Sequence, residues 1–324
     1  GLKVGLYKPG SKEVIAINEC MLEAKAVGSI RREFERTLQA YPTRLFSGLI
    51  VRGSERTGEY LVELVSDDKR EHELVIRDAK AYVKASRLLE VLQNAVSYEK
   101  AENLVVGIVL QMCADRTQRR TRAGKRITLE GQDFYTEMLL EKTFKVKAGA
   151  FFQVNTKQAE ALYLTAKPYL EACDVVYDLY CGTGTIGLTL TKDNQSLYGI
   201  ESNSEAVASA KENANSFGKT NAKFVCKQVE KCVFDGKAFP NPDAVIVDPP
   251  RKGMDQGFIH KLLTLLPERI VYISCDPATM ARDVKLLMPS YKVEEITPVD
   301  MFAWTSHVET VCLLSKLHEA KHHV

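Results

Sequence analysis

From residue 150 onward the apolar residues fall into short runs that alternate between two rhythms, and this alternation constrains the fold more than any other feature of the chain. After "AFFQVN", the stretch "TKQAEALYLTAKPYLEA" spaces its apolar positions as a helix does. Then come "DVVYDLY", "TIGLTLTK", "SLYGIE", "SEAVASAKENANSF", "AKFVC", "AVIVD", "GFIHKLLTLL", "RIVYIS", "PATMARDVKLLM", "YKVEEITPVDMF" and "ETVCLLSK". Strand-like and helix-like segments in this order predict an α/β fold, a Rossmann-like doubly wound sheet with helices on both faces. Ligands on such sheets bind outside the carboxyl ends of the strands. The chemistry is therefore expected just after each apolar run.

Residues 1–149 have a different texture. "VIAIN", "FSGLIVRG", "EYLVELVS", "LVVGIVLQM" and "RITLEG" are short β-branched or alternating runs separated by turns. "GSIRREFERTLQAY" and "AYVKASRLLEVLQNAVSY" carry helical spacing. The expectation is a smaller β-rich domain over 1–149, followed by the doubly wound domain over 150–324.

Charge divides the same way. The net charge is +2, but residues 1–150 hold 26 Lys/Arg against 21 Asp/Glu, and the remainder holds 18 against 21. The excess is concentrated in "RTQRRTRAGKR", which places Arg116, Arg119, Arg120, Arg122, Lys125 and Arg126 within eleven residues. Such a run can follow a phosphate backbone, and it can equally be a solvated hairpin loop. No apolar run reaches the ~18–20 residues that cross a membrane. "GLKVGLYKPG" lacks the apolar core of a signal peptide. The chain starts at Gly1 rather than Met, and an upstream portion is expected. Its eight cysteines are scattered without a C-x-x-C pair, so a zinc ribbon is not expected. Reduced thiols and a cytoplasmic location are the expectation.

Four stretches carry chemistry. In "VVYDLYCGTGTIGL" an apolar run ends in Asp178, a glycine turn passes through Gly182 and Gly184, and a helix follows. Glycines there let a ligand approach the backbone at a helix N-terminus. About 20 residues on, "SLYGIESN" ends in Glu201, where an acid grips ribose hydroxyls. A nucleoside ligand follows; whether it is NAD or S-adenosylmethionine is left open by this pair. In "DAVIVDPPRKGM", Asp248 ends a strand and Pro249-Pro250 stiffen the loop, which is also what a rigid structural turn would show.

In "YISCDPATMARD", Asp276 suits an N-cap and Pro277 the first helical position. Cys275 then stands at the positive end of a helix, which favours thiolate. In "DMFAWTSHVETVCLLSK", Glu309 begins a strand between Val308 and Val311, close in sequence to His307 and Trp304. A partly desolvated carboxylate there is poised to act as a base.

"AFFQVN", "YDLYCGTGTIGL", "VDPPRKG", "YISCDPATMARDV" and "MFAWTSHVETVCLLSK", in this order, resemble the S-adenosylmethionine-dependent RNA uracil-5 methyltransferase family. That family includes the tRNA uridine-54 enzyme and the bacterial 23S rRNA enzymes. The resemblance covers residues 150–316, and residues 1–149 look like the family's central domain. The β-barrel (TRAM) domain that usually precedes it is not found within these residues. The resemblance implies Cys275 as nucleophile and Glu309 as the base that removes the C5 proton. It implies Gln153, Tyr180, Thr185, Glu201, Gln228 and Asp248 as contacts to S-adenosylmethionine. Thr185 and Gln228 stand where other members often carry Asn. Asp276 also stands where Asn is frequent; it still caps the helix, but its charge opposes thiolate formation.

The implied substrate is RNA, with 23S rRNA favoured over tRNA, and no membrane or obligate protein partner is implied. The tilt to rRNA comes from Cys20 in "INECMLEAK", which matches the fourth iron–sulfur ligand of the rRNA enzymes. The other three ligands would lie before residue 1, and one thiolate does not hold a cluster that needs four. The chain as given is thus expected to be iron-free. Two other classes remain at this point: an amino-group methyltransferase using "DPPR", and a catalytically silent RNA-binding module. Neither has a use for both Cys275 and Glu309.

Overall fold

The structure is a computed structural model that describes residues 4–8, 10–11, 13–21, 23–113, 124–234, 236, 239–303, 305 and 307–318. It divides into two compact units, Gly1–Met138 with Lys145–Gly149, and Leu139–Phe144 with Ala150–Val324.

In the first unit β1 (Gly5–Tyr7) and β2 (Val14–Ala16) form an antiparallel pair. Then follow α1 (Lys25–Ala40), β3 (Gly48–Gly53), β4 (Glu59–Ser66), α2 (His72–Ala85), α3 (Leu88–Glu99), β5 (Leu104–Met112) and β6 (Lys125–Gly131). The sheet runs β3-β4-β5-β6, antiparallel except for the parallel pair β4/β5, whose crossover carries α2 and α3. Ile30 and Phe34 of α1, Leu88 and Leu92 of α3, and Val62, Leu64 and Ile108 of the sheet form its core. Helices α1 and α3 cover the apolar face of the sheet.

The stretch "AYVKASRLLEVLQNAVSY" is two helices, not one. Arg87 takes a left-handed φ of 50°, and the Ser86 hydroxyl donates back to the Tyr82 carbonyl at 2.8 Å, ending α2. Arg126, expected on an RNA-binding surface, is instead committed to the interior. Its Nε lies 3.3 Å from the fully buried carboxylate of Glu63, which also accepts from Arg52 Nε at 2.8 Å. A buried charge needs such partners. Lys125 is exposed; Arg116, Arg119, Arg120 and Arg122 lie outside the described residues.

The chain runs through a hairpin of β7 (Phe134–Leu139) and β8 (Lys142–Lys147) into the second unit. This contains α4 (Thr156–Leu170), β9 (Val175–Leu179), α5 (Thr185–Leu190), β10 (Ser196–Glu201), α6 (Ser204–Ser216), β11 (Ala222–Cys226) and β12 (Ala244–Val247). It continues through α7 (Gln256–Leu265), β13 (Arg269–Ser274), α8 (Pro277–Leu287), β14 (Tyr291–Val299) and β15 (Glu309–Lys316). The strand order is β11-β10-β9-β12-β13-β15-β14. The first five strands are parallel, and β15 runs antiparallel to both neighbours.

This is the doubly wound sheet expected from the alternation. The order reverses between β9 and β12, which opens the ligand crevice beyond their carboxyl ends. Phe258, Leu262, Met280 and Leu287 of α7 and α8 pack on Tyr177, Val245 and Tyr272. Side chains alternate along a strand, so Asp178 points away from Tyr177 and Leu179, toward α5. The helices start cleanly: Asn155, Asn203, Asp255 and Asp276 each accept a backbone N–H of the first turn.

Candidate active site

The carboxyl end of β9 turns through backbone that favours glycine. Tyr180, Gly182 and Gly184 have φ of 63°, 54° and 76°. A Cβ placed on Gly182 would meet nothing within 4 Å, so this turn leaves open space for a ligand against the backbone. Glu201, at the end of β10, accepts from Gly182 N at 3.2 Å through Oε2 and from Asn203 N at 2.8 Å through Oε1. These bonds aim the carboxylate and leave lone pairs for ribose hydroxyls.

Asp178 lies beneath the turn and is fully buried. Its Oδ2 accepts from Gly187 N at 2.8 Å, while Oδ1 is buried without a hydrogen-bond partner. Burial pushes this carboxyl up to about 7, against the Gly187 N–H and with a small push from Glu201.

Further along the rim the Tyr180 hydroxyl donates to Glu230 Oε1 at 2.9 Å. Gln228, exposed, opens the short turn Val229–Lys231 that carries Glu230. Lys261 of α7 fixes that turn by donating to the carbonyls of Glu230 at 2.6 Å and Cys232 at 3.1 Å. Thr185 starts α5 and hydrogen-bonds buried Tyr163. Gln153 is half-buried in the segment before α4. Two residues on, Asn155 Nδ2 donates to the Met301 carbonyl at 3.1 Å, drawing that segment to the loop before β15.

The reactive end is built by the antiparallel pair β13/β15. The register Ser274↔Thr310 makes Cys275 and Glu309 the next pair at the sheet's rim. Cys275 is half-buried, and Glu309 is 7% exposed. Asp276 caps α8 by accepting from Ala278 N at 3.0 Å and Thr279 N at 3.1 Å, so its carboxylate is turned to the helix. The helix terminus is not what dominates the thiol. Burial pushes the Cys275 thiol up, Glu309 and Asp248 push it further, and Arg251 pulls it down.

Asp248 is held up at about 8 by burial, then by Glu309 and Asp178. Glu309 is raised by burial and opposed by Arg251. The rim thus gathers two acids and a thiol, with one guanidinium acting on Cys275 and Glu309.

Cys275, Glu309 and Asp248 therefore come together at one end of the crevice. Glu201, Tyr180, Thr185 and Gln228 line the ends of β9, β10 and β11. Cys20 belongs to the first unit and is partly exposed. No group of three or more His, Cys, Asp or Glu placed to hold a metal ion exists among the described residues.

Two residues were missed in the sequence. Arg251 stands in "DPPRKGM", and its charge three residues after Asp248 is the available signal. Asp178 was noted only as a strand end, although its apolar surroundings in "VVYDLY" already implied burial. The open turn at Gly182, the orphaned Asp178 oxygen and the oriented Glu201 fit a nucleoside-bearing cofactor such as S-adenosylmethionine.

A family model described as tRNA (uracil-5-)-methyltransferase matches residues 117–317. A protein named as an uncharacterized RNA methyltransferase from Staphylococcus aureus is 36% identical over 96% of this chain and 68% of its own length. One of the same description from Clostridium acetobutylicum is 31% identical over 97% of this chain and 67% of its own. Among solved structures, the Pyrococcus abyssi tRNA (uracil-54, C5)-methyltransferase in complex with S-adenosyl-L-homocysteine is similar, with a TM-score of 0.73 and 25% identity. That likeness covers 93% of this chain and 70% of the other.

Proposed function

The chain belongs to the tRNA (uracil-5-)-methyltransferase family, and we propose that it methylates uracil C5 in RNA through a covalent adduct between Cys275 and uracil C6. The observation that carries this reading is the β13/β15 register, whose last pair, Ser274↔Thr310, is followed by a half-buried thiol on one strand and preceded by a buried carboxylate on the other at the carboxyl rim of a methyltransferase sheet.

C5 of uracil is a poor nucleophile. Cys275 loses its thiol proton to solvent, and its sulfur adds to C6, breaking the C5–C6 double bond and making C5 an enolate carbon. S-adenosylmethionine, when bound, supplies an electrophilic methyl group. Gln153, Tyr180, Thr185, Glu201, Gln228 and Asp248 hold and orient it. Glu309 then takes the C5 proton, the double bond re-forms, and the Cys275 sulfur leaves. The raised affinity of Glu309 for a proton suits this role, because a base whose pKa approaches the working pH removes a carbon-bound proton more readily. Asp248, largely protonated near neutral pH, offers an O–H donor at the same rim. The target base must leave its stack to reach the pocket.

The proposed RNA is 23S rRNA, supported by the Cys20 position in "INECMLEAK". A tRNA substrate is the second reading, supported by the likeness to the Pyrococcus abyssi enzyme. Lys125 and the basic run before it are proposed to follow the RNA backbone. The test is trapping with 5-fluorouridine RNA, whose C5 fluorine blocks elimination. The wild-type protein should form a covalent complex that survives denaturing electrophoresis, and Cys275→Ala should form none. A Cys275→Ala protein that still makes 5-methyluridine refutes the adduct. Mapping 5-methyluridine formed in 23S rRNA and tRNA transcripts then separates the two substrates.

A further inference from the structure

The turn after Asp248 is fastened to the helix that follows Cys275. Asp283, in the second turn of α8, is fully buried. Its Oδ2 accepts from Met254 N at 2.7 Å and from the Tyr272 hydroxyl at 2.8 Å. Its Oδ1 accepts from Arg282 Nε at 2.8 Å and Nη2 at 2.7 Å. Arg282 Nη2 also donates to the Lys252 carbonyl at 2.9 Å. The turn passes so close that a Cβ on Gly253 would lie 2.5 Å from Asp283 Oδ2 and 2.5 Å from Arg282 Nη2, and Gly253 has a φ of 76°.

Both carboxylate oxygens are thus spent on joining three pieces: the loop 249–254, strand β13 and helix α8. Burying a charge is expensive unless it is paired and hydrogen-bonded. A strand–helix junction of this kind could be packed with apolar residues. A charged fastener here makes the loop's position definite, because directional bonds fix geometry more sharply than apolar contact does.

We propose that Asp283 and Arg282 form a positioning pair that locks the loop after Asp248 to α8, and so holds Arg251 over Cys275 and Glu309. This rests on the reading of Cys275 as nucleophile. The groups that act on the Cys275 thiol are Glu309 and Asp248, which oppose ionisation, and Arg251, which favours it. Arg251 is exposed and stands on that loop directly before Lys252, whose carbonyl Arg282 holds. Its influence depends on where that loop sits, and the loop is set by the fastener on α8. Asp283 and Arg282 act through Arg251.

The test measures alkylation of individual cysteines by iodoacetamide in the full chain across pH, read by peptide mass spectrometry. Exposed Cys226, outside the loop, is the internal control. Arg282→Gln removes the bonds to the Lys252 carbonyl and to Asp283 Oδ1 from a side chain that is 51% exposed, and its melting temperature is measured alongside to check that the fold is kept; Asp283→Asn is the stronger variant. Each should slow Cys275 alkylation near neutral pH about three- to tenfold, a midpoint shift of about half to one pH unit, and leave Cys226 unchanged. Arg251→Gln should do the same, and the Arg251→Gln/Arg282→Gln double variant should be no slower than Arg251→Gln alone. In turnover, Arg282→Gln should lower kcat with the KM for S-adenosylmethionine within twofold.

Unchanged Cys275 alkylation in Arg282→Gln overturns the proposal, as does a double variant in which the two effects multiply. Alkylation needs no RNA. A wild-type protein that forms no adduct with 5-fluorouridine RNA, yet shows the alkylation shifts, refutes the proposed function and leaves the positioning pair standing.

Discussion

The buried acid beneath the glycine turn gives a quantitative handle on the second unit. Asp178 is fully buried, one oxygen is satisfied by Gly187 N, and the other has no partner. Burial raises its carboxyl to about 7, against about 3.9 in an unfolded chain. A folded-state pKa above the unfolded one means that the folded protein keeps a proton which the unfolded chain has released. The stabilisation is complete below about pH 4 and is lost as pH rises through about 7. At 1.36 kcal/mol per unit the full difference is about 4 kcal/mol, of which about 2–3 kcal/mol is lost between pH 5 and pH 8. Asp178→Asn keeps an oxygen for Gly187 N and cannot ionise. Thermal unfolding of the ligand-free protein at pH 5 and pH 8 should show the variant gaining on wild type by about 4–8 °C at the higher pH. An equal melting difference at both pH values refutes the argument that burial holds this proton.

Glu309→Gln leaves Cys275 in place and removes the base; it should turn over about 10²–10⁴-fold more slowly and accumulate a methylated, covalently linked RNA on denaturing gels. Normal turnover by this variant removes Glu309 from the mechanism. S-adenosylhomocysteine at 100 times its Kd should stabilise the protein by about 2.7 kcal/mol in a thermal shift assay, and NAD should not; stabilisation by NAD alone counts against the cofactor assignment. Purified as residues 1–324, the chain should contain no stoichiometric iron by colorimetric assay, since Cys20 is one thiolate where a cluster requires four.

What the sequence made legible is local or periodic. Runs such as "AVIV" and "RIVYIS" are short, apolar and followed by turn chemistry, and they are strands β12 and β13. Asp276 and Pro277 announce the start of α8, and the structure caps it there. What stayed hidden depends on partners distant in sequence. Nothing near Glu309 says that β15 inserts antiparallel between β13 and β14, yet that topology alone sets Glu309 beside Cys275. Arg126 looked like one more charge in a basic run until Glu63, buried on β4, claimed it. The break between α2 and α3 rests on one left-handed residue, Arg87, within an unbroken helical apolar pattern. In the same way Asp283 reads as an ordinary helix residue until Met254 and Tyr272 are seen to converge on it.

The electrostatics at the rim follow one logic. In the proposed mechanism Cys275 loses a proton to attack, and Glu309 gains one later. Burial favours the neutral form of both, so it hinders the first step and strengthens the base of the last. Helix α8 offers its positive end to the thiol, but Asp276 spends its charge on capping that end. Glu309 and Asp248 add negative charge nearby. Part of that charge is absent near neutral pH, because Asp248 holds its proton up to about 8. Arg251 acts on both Cys275 and Glu309 in the opposite sense to burial. The position of one guanidinium therefore sets the balance between an available nucleophile and a strong base, which is why a loop carrying it is fastened by directional bonds rather than by packing alone.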